Sequence, residues 1–264
     1  MLQHRILGCS FVLSLLLLAT NLAWADADVG KPSTHWRICI GDRAVRPYIN
    51  NDPARLGVGE RLLIDAGAQA GLSIELMRYP TRRCRQQLLL GKLEGWVAAP
   101  TPGNQADATF PQRAGLVDAS RRLASLNMVW VQRRESTLTW DGKTWLGSAP
   151  NDLLIGVRAG QNSAIEPLKK MGFRVDDAAF NVPQLFRKLL AKRIDLVLAL
   201  QEEVHSALLG ADAQPHLIHV WPEPLFSLDF HVSIGKHLSP ERHAQAEALW
   251  NAIGDLRERE KYRP

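Results

Sequence analysis

Past residue 24 the chain has no apolar run long enough to span a membrane, which excludes a later transmembrane segment. It also has no Walker loop, nucleophile elbow, HExxH pair or dinucleotide fingerprint, so no motif argues for the chemistries those signatures carry. His216 and His219 invite a metal reading, but residues three apart on a strand point to opposite faces. No metal and no cofactor is therefore expected. A basic block is missing too. The 32 Lys and Arg stand against 27 Asp and Glu and are spread in pairs such as Arg82/Arg83, Arg121/Arg122 and Arg133/Arg134. Scattered charge of this kind is solvated surface, and nucleic acid is excluded as a partner.

What is present begins with a leader. Residues 1–5 are short and basic, residues 6–18 almost wholly apolar, and Ala23-Trp24-Ala25 is a small-x-small cleavage signal. Residues 1–25 read as a secretory signal peptide, with an uncleaved anchor helix as the rival. The expected location is the periplasm. Cleavage removes Arg5 and no acid, so the formal charge falls by one from the +5 of the full chain. Roughly 240 residues remain, enough for one large domain or two lobes. Of three cysteines, Cys39 and Cys84 survive processing. An even count in an oxidising compartment predicts a disulfide; the alternative is two buried thiols.

Strands are predicted at 36–41, 72–77 and 94–99, separated by helices at 59–71 and after Pro80. Short links between them imply a parallel sheet. Gly91 stands where a C′ glycine ends a helix. A further strand is expected at 126–132, and a second series of alternating strands and helices runs from Leu153 to Val220. Residues 225–234 alternate for a full ten positions, with Phe226, Leu228, Phe230, Val232 and Ile234 on one face and Ser227, Asp229, His231 and Ser233 on the other. Such a strand is long enough to cross between lobes. A last helix has Ser239 as N-cap and Pro240 at its first position.

The stretch from Tyr79 to Pro111 organises the rest: a proline-broken entry, a helix, a buried strand and a Thr-Pro loop. A loop after such a strand lies at the carboxyl edge of a sheet, where α/β proteins place ligands. Several motifs recur here in a particular order: RICIGD and RPY ending at Tyr48, Pro-x-x-Arg-Cys at Pro80 to Cys84, GKLEG, the TP…FP frame from Thr101 to Pro111, and AKRID ending at Asp195. In order and spacing the chain resembles the bacterial extracellular solute-binding proteins of family 3. The resemblance covers nearly all of the mature chain. It implies an α/β fold of two lobes, each a mostly parallel sheet flanked by helices, joined by two crossing segments that close on a ligand. The lobes are expected at 26–125 with 228–264, and at 126–227.

Two departures shape the expected ligand. The Thr-Pro frame of the amino-acid binders continues Glu-Arg, and that arginine grips the ligand carboxylate; here Gly103 and Asn104 take those places. The family's acid for the ligand amino group falls at Leu200, with Glu202 two residues on. An ordinary α-amino acid is therefore not the expected ligand.

The candidate ligand residues are Tyr48 for stacking, Arg83 by match to the family arginine, and Thr101 and Asn104 as neutral hydrogen-bonding groups. Ser163 joins them as a capping box with Glu166 at a helix start that could take an anion, and Glu202 as an acid at a lobe edge. The expected function is capture of a small polar solute by a monomeric binding protein serving an ABC permease or a membrane sensor, without catalysis. The alternatives are a regulatory lobe pair that binds a protein partner, and a dehydratase-like enzyme on the same fold.

Overall fold

The computed structural model describes residues 33–50, 52–146, 150–210 and 213–263. The leader reading falls outside them. Strands β1 (His35–Cys39), β2 (Ser73–Met77) and β3 (Gly95–Ala98) alternate with helices α1 (Val58–Gln69) and α2 (Thr81–Leu89), and a short α3 (Pro102–Asp107) follows. The long β4 (Ala124–Arg133) leads to a second series: β5 (Leu154–Arg158), α4 (Asn162–Lys170), β6 (Arg174–Ala179), α5 (Val182–Leu190), β7 (Leu196–Leu200), α6 (Gln201–Leu208) and β8 (Ile218–Val220). The long β9 (Phe226–Gly235) and α7 (Pro240–Arg257) complete the chain.

The strand order is β6-β5-β7-β4-β9-β3-β1-β2, with β8 also beside β4. Within each series the pairs β1/β2, β1/β3, β5/β6 and β5/β7 are parallel, as the βαβ pattern requires. The two ten-residue strands join the halves. The start of β9 pairs antiparallel with the start of β4, Phe226 opposite Met128 and Phe230 opposite Ala124. The end of β9 pairs with β3, His231 opposite Ala98. This is a two-lobe α/β architecture with two crossing segments.

Each half-sheet is covered on both faces. In the first, Leu62, Leu63 and Ala66 of α1 and Leu249, Trp250 and Ile253 of α7 pack on one side, while Cys84 and Leu88 of α2 pack on the other. In the second, α4 covers one side with Ala164 and Leu168, and α5 the other with Leu185, Phe186 and Leu189. Double cover explains how β9 departs from simple alternation. Its nominally polar face is buried at His231 and Ser233, because β9 lies in the middle of a sandwiched sheet. Ser233 Oγ donates to the Trp96 carbonyl at 2.8 Å, and the His231 ring lies 3.2 Å from the Asp118 carbonyl.

Local chemistry sets the element ends. Gly91, at φ +68°, follows the end of α2 as expected. Thr101, Asn181 and Ser239 cap α3, α5 and α7 by accepting from the backbone N–H three residues on. The capping box expected at Ser163 does not form. Helix α4 starts at Asn162, its N-cap is Gln161, and no side chain caps it. The start is displaced because Gln161 leaves the turn made by Gly160, at φ +76°. Cys39 and Cys84 are joined, with their α-carbons 5.7 Å apart.

Candidate functional site

The carboxyl ends of β1, β3, β5 and β7 face one another across the junction of the lobes, and a cavity of about 420 Å³ opens between them. Residues 40–43 enter it from the end of β1, Ala99 and Asn104 from the end of β3, Gly160 to Ser163 from the end of β5, and Leu200 and Glu203 from the end of β7. Leu123, Ala124, Leu126 and Phe230 of the crossing region line it as well.

The loop before α1 brings in Tyr48. The first amides of α1 are satisfied by that loop's own carbonyls: Val58 N donates to Pro47 O at 2.9 Å and Gly59 N to Tyr48 O at 3.0 Å. The approach is so close that a Cβ on Gly57 would lie 2.3 Å from the Tyr48 carbonyl oxygen. Glu60, one turn into α1, accepts from Gly57 N at 2.6 Å and Asn50 N at 2.9 Å and pairs with Arg78. Tyr48 is thus held by backbone geometry and one buried carboxylate.

Tyr48, Asn104 and Ser163 of the sequence candidates line the cavity together. Asn104 is buried, its Nδ2 donating to Ala99 O at 2.8 Å. Ser163 sits in the uncapped first turn of α4. Arg83, Thr101 and Glu202 lie outside the lining. The Arg83 guanidinium stacks over the Tyr79 ring at 4.4 Å, and the Thr101 hydroxyl is engaged as the α3 cap, 3.2 Å from Asn104 N. Glu202 is displaced by its neighbour Glu203, which does line the cavity.

Several lining residues escaped the sequence reading. Arg82 and Arg85 flank Arg83, and helical phase could have found them. With Cys84 and Leu88 turned to the core, Thr81, Arg82 and Arg85 take the cavity side. Arg158, Gln161 and Trp96 carried no local signal.

The cavity is held across the lobes by polar contacts. Arg158 Nη1 donates to Thr81 Oγ1 at 3.4 Å, and Arg82 pairs with Asp177 at 3.4 Å. A Cβ on Gly160 would meet Arg82 Cγ at 2.7 Å, so glycine lets the arginine cross. Arg85 pairs with Asp107, and Arg158 lies 3.4 Å from Glu203. The described lining contains no histidine and no cysteine.

Burial, and then the Glu202 charge, push the Tyr48 hydroxyl above its ordinary pKa. Burial likewise raises Glu202, with the like charge of Glu203 adding to it. A carboxyl whose folded pKa exceeds its unfolded value favours the native state most when protonated. Its contribution to stability therefore declines as pH rises from the ordinary carboxylate range through the raised value. Glu202→Gln is accordingly expected to raise the melting temperature by a few degrees at neutral pH and to leave it unchanged in acid. Thermal melts across the pH range check this, and an equal gain at every pH would show another cause.

These features define the class: a two-lobe α/β protein of the periplasmic-binding-protein fold, with its cavity at the lobe junction. No family model matches the sequence, and no curated protein matches it. Solved structures share the fold. An ancestral arginine-binding protein bound to glutamine aligns at a TM-score of 0.64 and 15% identity, over 88% of this chain and 96% of that one. The GluR0 ligand-binding core from Nostoc punctiforme in complex with L-glutamate aligns at 0.62 and 13%, over 86% and 95%. Holo ArgBP from T. maritima aligns at 0.61 and 15%, over 86% and 92%.

Proposed function

We propose that the chain captures a small polar solute between its lobes and presents it for ABC-type uptake or to a membrane sensor. The observation that carries this reading is the 420 Å³ cavity, lined from the carboxyl ends of both half-sheets and mixing aromatic with polar walls. Binding energy from both walls favours the closed arrangement, because a solute held from both sides stabilises only that state. An anionic group of the solute fits the start of α4, where the Asn162 and Ser163 amides precede the first intrahelical bond, from Ala164 N to Gln161 O at 2.9 Å, and Arg82 stands beside them. The structural neighbours include complexes with arginine, glutamine and glutamate, which supports amino-acid-like chemistry for the solute.

On this reading the chain acts as an exported monomer in the periplasm. Its lobes divide at 26–125 with 228–264, and at 126–227. It acts as a binder on this reading, as the structurally similar proteins described above do. No helix among the described residues is long and apolar enough to cross a membrane.

The test is a thermal-shift screen of the refolded chain against amino acids, polyamines, dicarboxylates, aromatic acids and short peptides. A solute at a hundred times its Kd adds about 2.7 kcal/mol, several degrees. One responding class is expected, with Tyr48→Ala and Gln161→Ala abolishing the response while the unliganded melting temperature stays within a few degrees. A flat response across the panel overturns the solute reading and favours a lobe pair that binds a protein partner.

A further inference from the structure

The alternation of β9 gives the strand one unbroken apolar face, and the register carries that face onto its neighbours. Val232 stands opposite Val97 of β3, Phe230 opposite Ala124 of β4, and Leu228 opposite Leu126. On the other side of β4, Met128 stands opposite Leu200 of β7. Residues paired in this way point to the same face, as do alternate residues along one strand. Val97, Phe230, Ala124, Leu126 and Leu200 therefore form one apolar strip across the adjacent strands β3, β9, β4 and β7. Helices α1 and α7 cover this face in one lobe, and α4 covers it in the other. Between them the strip faces the main cavity, whose lining contains each of its residues. Tyr48 and Ile49, from the loop before α1, line the cavity and pack against the same apolar clusters.

The charged residues of the lining are already paired within the protein. Arg82 pairs with Asp177, Arg85 with Asp107, Arg158 with Glu203 and Arg43 with Asp42. A solute polar along its whole length would set hydrogen-bonding groups against the strip without partners, at the desolvation cost of each. An apolar body gains instead, by about fourfold in affinity for each methylene withdrawn from water. Space allows one. An apolar hollow of roughly 150 Å³ holds a benzene ring, and this cavity has about 420 Å³.

We infer that the strip seats a ring-sized apolar body, and that the solute is a carboxylic acid carrying an aromatic or alicyclic ring. This rests on the solute-binding reading of the cavity and narrows the class it takes. The strip is built by β3 of one half-sheet, β7 of the other and the two crossing strands between them. A ring on it is therefore held at the junction, where closure of both lobes completes its burial.

Calorimetry on the refolded chain compares phenylacetate and cyclohexylacetate with acetate and with gluconate, an acid that is polar throughout. Both ring acids are expected to bind at least tenfold more tightly than acetate or gluconate, with a negative heat-capacity change. Two variants of the strip locate the gain. Phe230→Ala removes the largest side chain of the strip and should cost the ring acids at least tenfold. Val97→Thr keeps the volume and sets a hydroxyl on the strip. It should cost them at least threefold, while the unliganded melting temperature stays within a few degrees. Should Phe230→Ala fail to fold, Val97→Thr carries the test. Gluconate bound as tightly as the ring acids, or ring-acid affinity unchanged in the folded variants, overturns the inference. Binding of other members of the broader panel with both ring acids silent also overturns it, and leaves the solute site standing. Silence towards these probes and the whole panel overturns the solute site itself.

Discussion

Glu60→Ala should cost about 3–5 kcal/mol of stability, the range for removing one partner of a buried charge pair. In a chain of this size that is a drop in melting temperature on the order of 10 °C. The side chain is wholly buried and does three things at once: it pairs with Arg78, accepts from Gly57 N and accepts from Asn50 N. Alanine leaves two backbone donors and a guanidinium without their acceptor in the interior. The damage also reaches the site, because these two amides flank the loop whose Tyr48 carbonyl caps α1 and whose ring lines the cavity. Glu60→Gln keeps an acceptor oxygen and loses the charge, so it should fall between wild type and alanine. Urea melts of the three chains check the order. A loss below about 1 kcal/mol for alanine would place Glu60 among ordinary surface acids and sink the account of how Tyr48 is held.

The elements of this fold were legible because their signals are local. The alternation of residues 225–234, Gly91 past a helix end and Ser239 before Pro240 each depend on near neighbours, and the expected strands and helices lie within a few residues of their places, whereas α3 forms where a loop was expected. The candidate cavity was legible in the sequence by its position more than by its residues. Of the residues expected at the carboxyl edge after β3, Asn104 lines the cavity, whereas Thr101 beside it is spent on capping α3.

Two near misses share one cause. Arg83 and Glu202 sit one residue from Arg82 and Glu203, which line the cavity. A match to a linear motif ignores helical phase, and one position on a helix turns a side chain by about 100°. The Ser163 cap failed because its chemistry was read without the Gly160 turn that advances the helix start. The tryptophan cluster was invisible for a different reason. Trp140 and Trp145 flank Asp141-Gly142, a plain turn signal, and fold onto Trp130 at 5.9 and 5.5 Å between ring centres. Only the tertiary fold brings Trp130 beneath them.

The disulfide supports the largest remaining expectation. Cys39 ends β1 and Cys84 lies in α2, 45 residues apart in sequence. Closing a loop of that length lowers the entropy of the unfolded chain by an amount worth about 4 kcal/mol. The Cys39→Ala/Cys84→Ala chain, and the wild type under reductant, should therefore both lose about 4 kcal/mol in urea melts. Alanine is preferred to serine because both positions are fully buried, and a hydroxyl there would need a partner. The bond also has a functional address. Residues 40–43 leave Cys39 directly into the cavity, and Thr81, Arg82 and Arg85 surround Cys84 on the opposite wall. Opening it frees α2 to shift against the end of β1, and with α2 move the Thr81 and Arg82 contacts that hold the lobes together. Reductant should thus weaken solute binding at temperatures where the chain is still folded. Unchanged affinity in a reduced but folded chain would confine the bridge to stability and leave the placement of α2 to its packing through Leu88.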